Sequence, residues 1–248
     1  MTPAAAPAPA LAFPRVIVAI PVHNEAESLP LVIRELRRCR PDLPVMVVDD
    51  GSSDGTPSVV GPDVRYLRID QHIGIGGAMR AGLRFASALG YDTVVRLDGD
   101  GQHAPDEIDA LLQPIVEGRA DAVLGSRYIA ADPRGPRSAR RVVQYLLAAC
   151  MTRLIGQTIT DATSGAWAFG PSAVALLAEH HPTGYPEPEL LLFLHRNALR
   201  IVEAPVSSRS RVAGRSSLNW ARGTLAAARV LMAMLIVPLR RSVKVAQR

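Results

Sequence analysis

The chain has 248 residues, 48% of them hydrophobic and 21% charged, which suits one large domain or two small ones and excludes a disordered or fibrous protein. Its two cysteines, Cys39 and Cys150, form no pair motif and no metal-ligand spacing, which argues against a disulfide scaffold and fits a reducing compartment. The net charge of +5 hides an asymmetry, because residues 204–248 hold nine cations and no acid and leave −4 for the rest.

That basic end reads either as drift in a chain with 27 arginines and one lysine or as a tail that meets anions. Trp220 is its one aromatic residue, so it lacks the stacking platforms of single-strand binders, and nucleic acid is not an expected partner.

Residues 1–14 form a Pro/Ala tail without the positive region of a signal peptide, and disorder is expected there. RVIVAIPVHN (15–24) predicts an apolar strand ending near Pro21. Residues 26–39 place apolar side chains at helical spacing, with Ser28 as the candidate cap. A second strand over 44–56 breaks into an Asp/Ser/Gly turn, and a short third covers 64–69. Residues 74–90 open with glycines and continue as a helix. A fourth strand is expected over 92–101, a helix with Pro105 in its first turn over 104–118, and a fifth strand over 120–128.

Residues 130–145 read as a basic loop whose Arg134, Arg137, Arg140 and Arg141 either follow lipid headgroups or are simply solvated. The apolar run 230–239, bracketed by Arg229 and by Arg240 and Arg241, is about 15 Å long as a helix. It is too short to span a bilayer and reads as an amphipathic helix at a membrane interface or as a buried C-terminal helix.

Strands alternating with helices imply an α/β fold with a mostly parallel sheet, whose ligands bind beyond the carboxyl ends of the strands. The polar clusters obey that rule. His23, Asn24 and Glu25 follow strand one; Asp49, Asp50, Ser52, Ser53 and Asp54 follow strand two. Asp98, Asp100, Gln102 and His103 follow strand four; Gly125, Ser126 and Arg127 follow strand five. One shared site accounts for all four better than four independent turns.

Asp98 and Asp100 are like charges delivered to one spot, so something positive is expected between them. A hard cation such as Mg2+ typically takes one or two carboxylates together with substrate phosphates. GIGGAMRAG is not a dinucleotide fingerprint, because Met79 stands where the third glycine belongs. A Walker A motif, an H-E-x-x-H pair and a nucleophilic Ser or Cys motif are all missing from the sequence.

In their order and spacing, PVHNEAESLP, VVDDGSSDGT, GIGGAMRAGL, LDGDGQHAPDEI, LGSRY and DATSGAWAFG resemble glycosyltransferase family 2 with the GT-A fold, over residues 15–219. The closer likeness is to the dolichol-phosphate-mannose-synthase-like branch. DGDGQH, DATSG and YPEPE (185–189) are similar to bacterial enzymes that load a sugar onto polyprenyl phosphate for cell-wall polysaccharide, often beside a small membrane protein partner. The resemblance implies a Rossmann-like, mostly parallel sheet flanked by helices, with residues 220–248 as a C-terminal amphipathic helix on membrane, partner or second copy.

Site roles follow from the resemblance. Pro21, Asn24, Glu25 and Gly76 belong to the nucleotide-sugar pocket, and Asp49 or Asp50 reads the base, commonly uracil. Asp98 lies near the ribose and the metal, and Asp100 ligates Mg2+ or Mn2+. Arg127 sits near a phosphate; Asp161, Thr163, Ser164 and Gly165 shape the acceptor side; Glu187 and Glu189 reach the sugar or acceptor end. Arg211, Gly214, Ser216 and Ser217 in RVAGRSS resemble a phosphate-contacting R-x-x-G-x-S loop. His72 departs from the asparagine usual before the glycine loop.

The implied reaction is an inverting transfer from a nucleotide-diphosphate sugar, UDP-linked GlcNAc or a hexose, to polyprenyl phosphate at the inner face of the plasma membrane. Asp98, Asp100, Asp161, Glu189 and Arg211 are the candidate catalytic residues. A sugar-hydroxyl acceptor would need a general base, for which Asp161, Glu187 and Glu189 compete; a phosphate dianion needs none. A nucleotidyltransferase would carry a basic triphosphate loop where this chain has the acidic HNEAES, and a nucleic-acid binder would leave the aspartate clusters unexplained.

Overall fold

The computed structural model describes residues 14–129, 139–183, 186–207 and 209. Arg211, Ser216, most of the expected basic loop and the whole of 220–248 lie outside the described residues.

The first half of the chain is three parallel crossovers, two through an α-helix and the middle one through a 310 turn, Thr56–Val59. β1 (Val16–Val22) leads to α1 (Leu29–Cys39), β2 (Val45–Asp50) to β3 (Arg65–Ile69), and α2 (Ile75–Ala88) to β4 (Thr93–Arg96). α3 (Ile108–Val116) and β5 (Ala122–Ser126) follow, then α4 (Ala139–Ile155), β6 (Trp167–Phe169), α5 (Pro171–His180), α6 (Pro186–Arg196) and β7 (Ile201–Pro205). Among the described residues they form a seven-stranded sheet in the order β3-β2-β1-β4-β6-β5-β7. All pairs are parallel except those of β6, which runs antiparallel between β4 and β5.

Both faces of the central sheet are covered, which is why β1 and the first four residues of β2 read as unbroken apolar runs. Along β1, Ile17 and Ala19 point into one core with Met79, Leu83, Phe169 and Leu190. Val18, Ile20 and Val22 point into the other, with Leu29, Leu36, Ile108 and Leu111. α1 contributes Leu29, Val32 and Leu36, spaced to fall on one helix face. Leu36 is fully buried, and truncating it to alanine would cost about 2–5 kcal/mol through the cavity left behind.

Topology places the site. The chain leaves β1 toward β2 and β3, then returns to build β4 on the other side, so a crevice opens at the carboxyl ends of β1 and β4. Register sets its walls. Val22 lies opposite Asp49, which brings His23 to Asp50; Ala19 lies opposite Arg96, which brings the Asp98 turn to the end of β1.

Several local expectations change. Ser28 precedes α1 without capping it, because its hydroxyl is spent on Glu25 Oε2 at 2.5 Å. β4 stops at Arg96 rather than running on to residue 101, because the chain turns through Asp98–Asp100. The third helical segment opens with a 310 turn, Pro105–Glu107. Residues 139–145, expected as loop, are the first turns of α4.

Candidate active site

The crevice has two ends. At one, Asp50 is buried at the end of β2, and its Oδ1 accepts the Ile73 N–H at 2.8 Å. His72 Nδ1 lies 2.9 Å from Asp50 Oδ2, and His23 Nδ1 donates to the Asp50 carbonyl at 2.8 Å. The two imidazole rings sit 4.1 Å apart, and both line the cleft with Pro21, Glu25 and Asp50.

Successive side chains on a strand face opposite ways, so only one of the Asp49–Asp50 pair can look into the cleft. That one is Asp50. Asp49 is fully buried on the other side, accepting from Ser52 N–H at 2.8 Å and from the Tyr66 hydroxyl at 2.5 Å. Asn24 is also a bracing residue rather than a wall. It takes a left-handed φ of 58°, and its Oδ1 accepts the Ser53 and Asp54 N–H groups, tying the first polar cluster to the second. Gly76 packs instead of opening room for ligand, since a Cβ there would stand 2.2 Å from the Pro182 carbonyl oxygen.

At the other end the cleft floor holds Asp98, Asp100, Arg96 and Glu187. Asp100 is nearly buried, its carboxylate fixed by Gln102, from the backbone N–H at 3.0 Å and from Nε2 at 2.5 Å. Asp98 receives Arg96 Nη2 at 3.3 Å and His103 Nε2 at 3.3 Å. Gly165 of the DATSG stretch leaves it space, because a Cβ at that position would lie 2.1 Å from Asp98 Oδ2.

Charge follows this packing. Burial pushes the Asp98 carboxyl up, but Arg96 and His103 outweigh it and hold the group below the usual carboxylate range. Glu187 accepts from the same Arg96 Nη2 at 3.1 Å, yet burial, with Asp98 nearby, leaves its carboxyl above the ordinary value. A guanidinium separates a second pair of like charges: Arg96, 1% exposed, lies between Asp98 and Glu187.

Asp161, Ser164 and Glu189 do not line the cleft. Asp161 is fully buried and clamped by Arg127, through Nε at 2.6 Å and Nη2 at 2.8 Å, while Thr163 donates to it as well. Its own N–H donates to Glu203 at 3.0 Å. Filled on both oxygens and shut from solvent, the Asp161 carboxylate braces the loop after β5. Arg127 is correspondingly committed to Asp161 and Thr163. Ser164 is buried, its Oγ accepting the Ala166 N–H.

Arg96 is the residue that motif reading passed over. The signal was present: an arginine closing the buried strand TVVR, two positions before Asp98 and so on the same face of the chain.

Residues 17–175 match the family model for glycosyl transferase family 2. The chain belongs to glycosyltransferase family 2. This glycosyltransferase is 32% identical over 219 residues to an undecaprenyl-phosphate mannosyltransferase of Micrococcus luteus, covering 83% of this chain and 88% of the relative. It is 32% identical to a polyprenol monophosphomannose synthase of Mycolicibacterium smegmatis, over 83% of this chain and 81% of that one. A UDP-N-acetylglucosamine–dolichyl-phosphate N-acetylglucosaminyltransferase of Methanococcus voltae is 31% identical, over 76% and 83%. These relatives place it in the dolichol-phosphate-mannose-synthase-like branch. The glycosyltransferase also superposes on glucosyl-3-phosphoglycerate synthase from Mycobacterium tuberculosis, crystallised with Mn2+, UDP and phosphoglyceric acid. The TM-score is 0.67 at 22% identity, covering 90% of this chain and 78% of the other, a likeness of fold that matches the expected GT-A architecture.

Proposed function

We propose that this glycosyltransferase moves a sugar from a nucleotide-diphosphate sugar to a polyprenyl phosphate. The observation that carries the reading is the state of the carboxylates that would serve as a base. Asp161 is spent on Arg127, Glu189 lies off the cleft, and Glu187 is held by Arg96. A hydroxyl acceptor would need such a base. A lipid monophosphate, with a second pKa of about 6, is largely dianionic at neutral pH and supplies its own nucleophile.

The base of the donor is assigned to the Asp50 end and its diphosphate to the Asp98 and Asp100 end, with UDP-linked GlcNAc or a hexose as the first donors to try. Phosphate oxygen bonds to the anomeric carbon as the carbon–oxygen bond to the diphosphate breaks, inverting that centre and releasing the nucleoside diphosphate. Among the described residues no cluster of three His, Cys, Asp or Glu could enclose a metal alone. A pair of carboxylates at the cleft floor still fits Mg2+ or Mn2+, because such an ion completes its shell with phosphate oxygens and water. When bound, the cation neutralises charge on the leaving diphosphate. Asp100 and Asp98 hold that end of the donor, and Arg211 and Ser216 are the proposed contacts to the incoming phosphate.

A polyprenyl acceptor requires the cleft to meet a membrane surface, and the inner face of the plasma membrane is the location proposed for it. Val142, Tyr145 and Leu146, exposed on α4, support such a surface. No described helix is long and apolar enough to cross a membrane.

The test is to incubate purified protein with Mn2+ or Mg2+, UDP- and GDP-sugars, and polyprenyl phosphate, and to seek the lipid-linked sugar by mass spectrometry. Transfer to a glycan hydroxyl, with none to lipid phosphate, would replace this reading.

A further inference from the structure

Arg96 is a costly residue to keep where it is. Its guanidinium is fully buried, and Nε and Nη1 find no hydrogen-bond partner among the described residues. Its Nη2 alone serves two carboxylates, Asp98 and Glu187. Replacing a buried ion triad by apolar side chains of similar volume is often neutral or stabilising. Stability therefore does not explain an arginine with two unspent donors in a strand otherwise made of Thr and Val. Its place does. It lies beneath the cleft, and it joins a carboxylate two positions along the chain to one 91 positions away.

We infer that Arg96 is a positioning residue: it fixes the Asp98 carboxylate at the diphosphate end of the cleft and ties it to Glu187 at the start of α6. Asp98 is then held from three directions, by Arg96, by His103 and by the close approach of Gly165. A carboxylate so held meets a cation and a diphosphate without first being ordered, which is the work done by residues behind metal ligands generally. The inference rests on the proposed nucleotide and cation site.

Removing Arg96 alone would leave two carboxylates facing each other, so the decisive variant is Arg96→Met with Glu187→Gln, compared with Glu187→Gln alone and with Arg96→Lys. Thermal melting reports the fold, and calorimetry with UDP or GDP, with and without Mn2+, reports the site. The double variant is expected to melt at or above the temperature of Glu187→Gln, to bind the nucleotide–Mn2+ pair about 10- to 100-fold more weakly, and to bind metal-free nucleotide unchanged. Arg96→Lys, which keeps the charge but not the fork, should recover part of the affinity for the pair. Equal affinity of the double variant and Glu187→Gln for nucleotide–Mn2+ would overturn the positioning role and leave the nucleotide site standing. Wild-type protein that binds neither nucleotide more tightly with Mn2+ would overturn both.

Discussion

Arg96 and Glu187 stand 91 positions apart in sequence and 3.1 Å apart in space. The contact joins the strand that delivers the aspartate pair to the helix that closes the other wall of the cleft. It ties the two walls of the candidate site together at one buried guanidinium.

Asp100 is expected to be indispensable for turnover and dispensable for folding. Its carboxylate accepts from Gln102 at the floor of the cleft, where a neutral amide of the same shape can take its place. Asp100→Asn should lower metal-dependent transfer by about 100- to 1000-fold while the melting temperature stays near wild type. Undiminished transfer in the variant would remove Asp100 from the metal site.

Asp161 should behave in the opposite way. It is buried against Arg127 with short bonds on both oxygens. Breaking such a pair leaves a buried charge uncompensated, so Asp161→Ala is expected to cost about 3–5 kcal/mol in urea denaturation. A variant of normal stability and absent activity would restore the idea of a base.

Gly165→Ala should separate geometry from stability. The added methyl collides with the Asp98 carboxylate, a group at the end of a side chain that can swing away. The fold is therefore expected to lose no more than about 1–3 kcal/mol, the usual range for overpacking. Nucleotide–Mn2+ affinity should fall sharply, because Asp98 leaves the position Arg96 and His103 define. Calorimetry on the purified variant checks this.

His181 sets an acid limit on stability. It is 3% exposed, and burial pushes its pKa down to about 4 from an ordinary 6.5, with Arg96 and Arg80 opposing its proton further. The unfolded chain thus binds a proton that the folded chain refuses. Stability is fully present above about 6.5 and falls as the pH drops toward about 4, by about 3 kcal/mol in all. His181→Asn keeps a donor toward the Pro182 carbonyl, which His181 Nδ1 now reaches at 2.8 Å, and should flatten melting temperature against pH across that window.

How much of this was legible beforehand differs from element to element. β1, β2 and β5 stood out because strands buried on both faces must be apolar, and their polar ends must lie at one edge. β6 is three residues long and antiparallel, too short for any period to show. α4 opens on arginines, and its helical spacing was masked by them. In the site, Asp98, Asp100 and Asp50 announced themselves by type and position. Choosing Asp50 over Asp49 required the facing of β2, and demoting Asp161 required its partner Arg127, 34 residues earlier. Arg96 was visible as an anomaly, but its meaning depends on Glu187, and no local pattern links the two.

The antiparallel insertion of β6 between β4 and β5 bears on when the site matures. Residues 16–96 can lay down β3-β2-β1-β4 through neighbouring crossovers. Gly165 meets Asp98 only once β6 has returned to pair with β4, and Glu187 reaches Arg96 later still in chain order. Contacts of such long sequence separation carry the larger loop-closure cost and form late. The aspartate pair is therefore made early in synthesis but given its working shape near the end, so a chain cut short before β6 carries the aspartates without the setting that holds them.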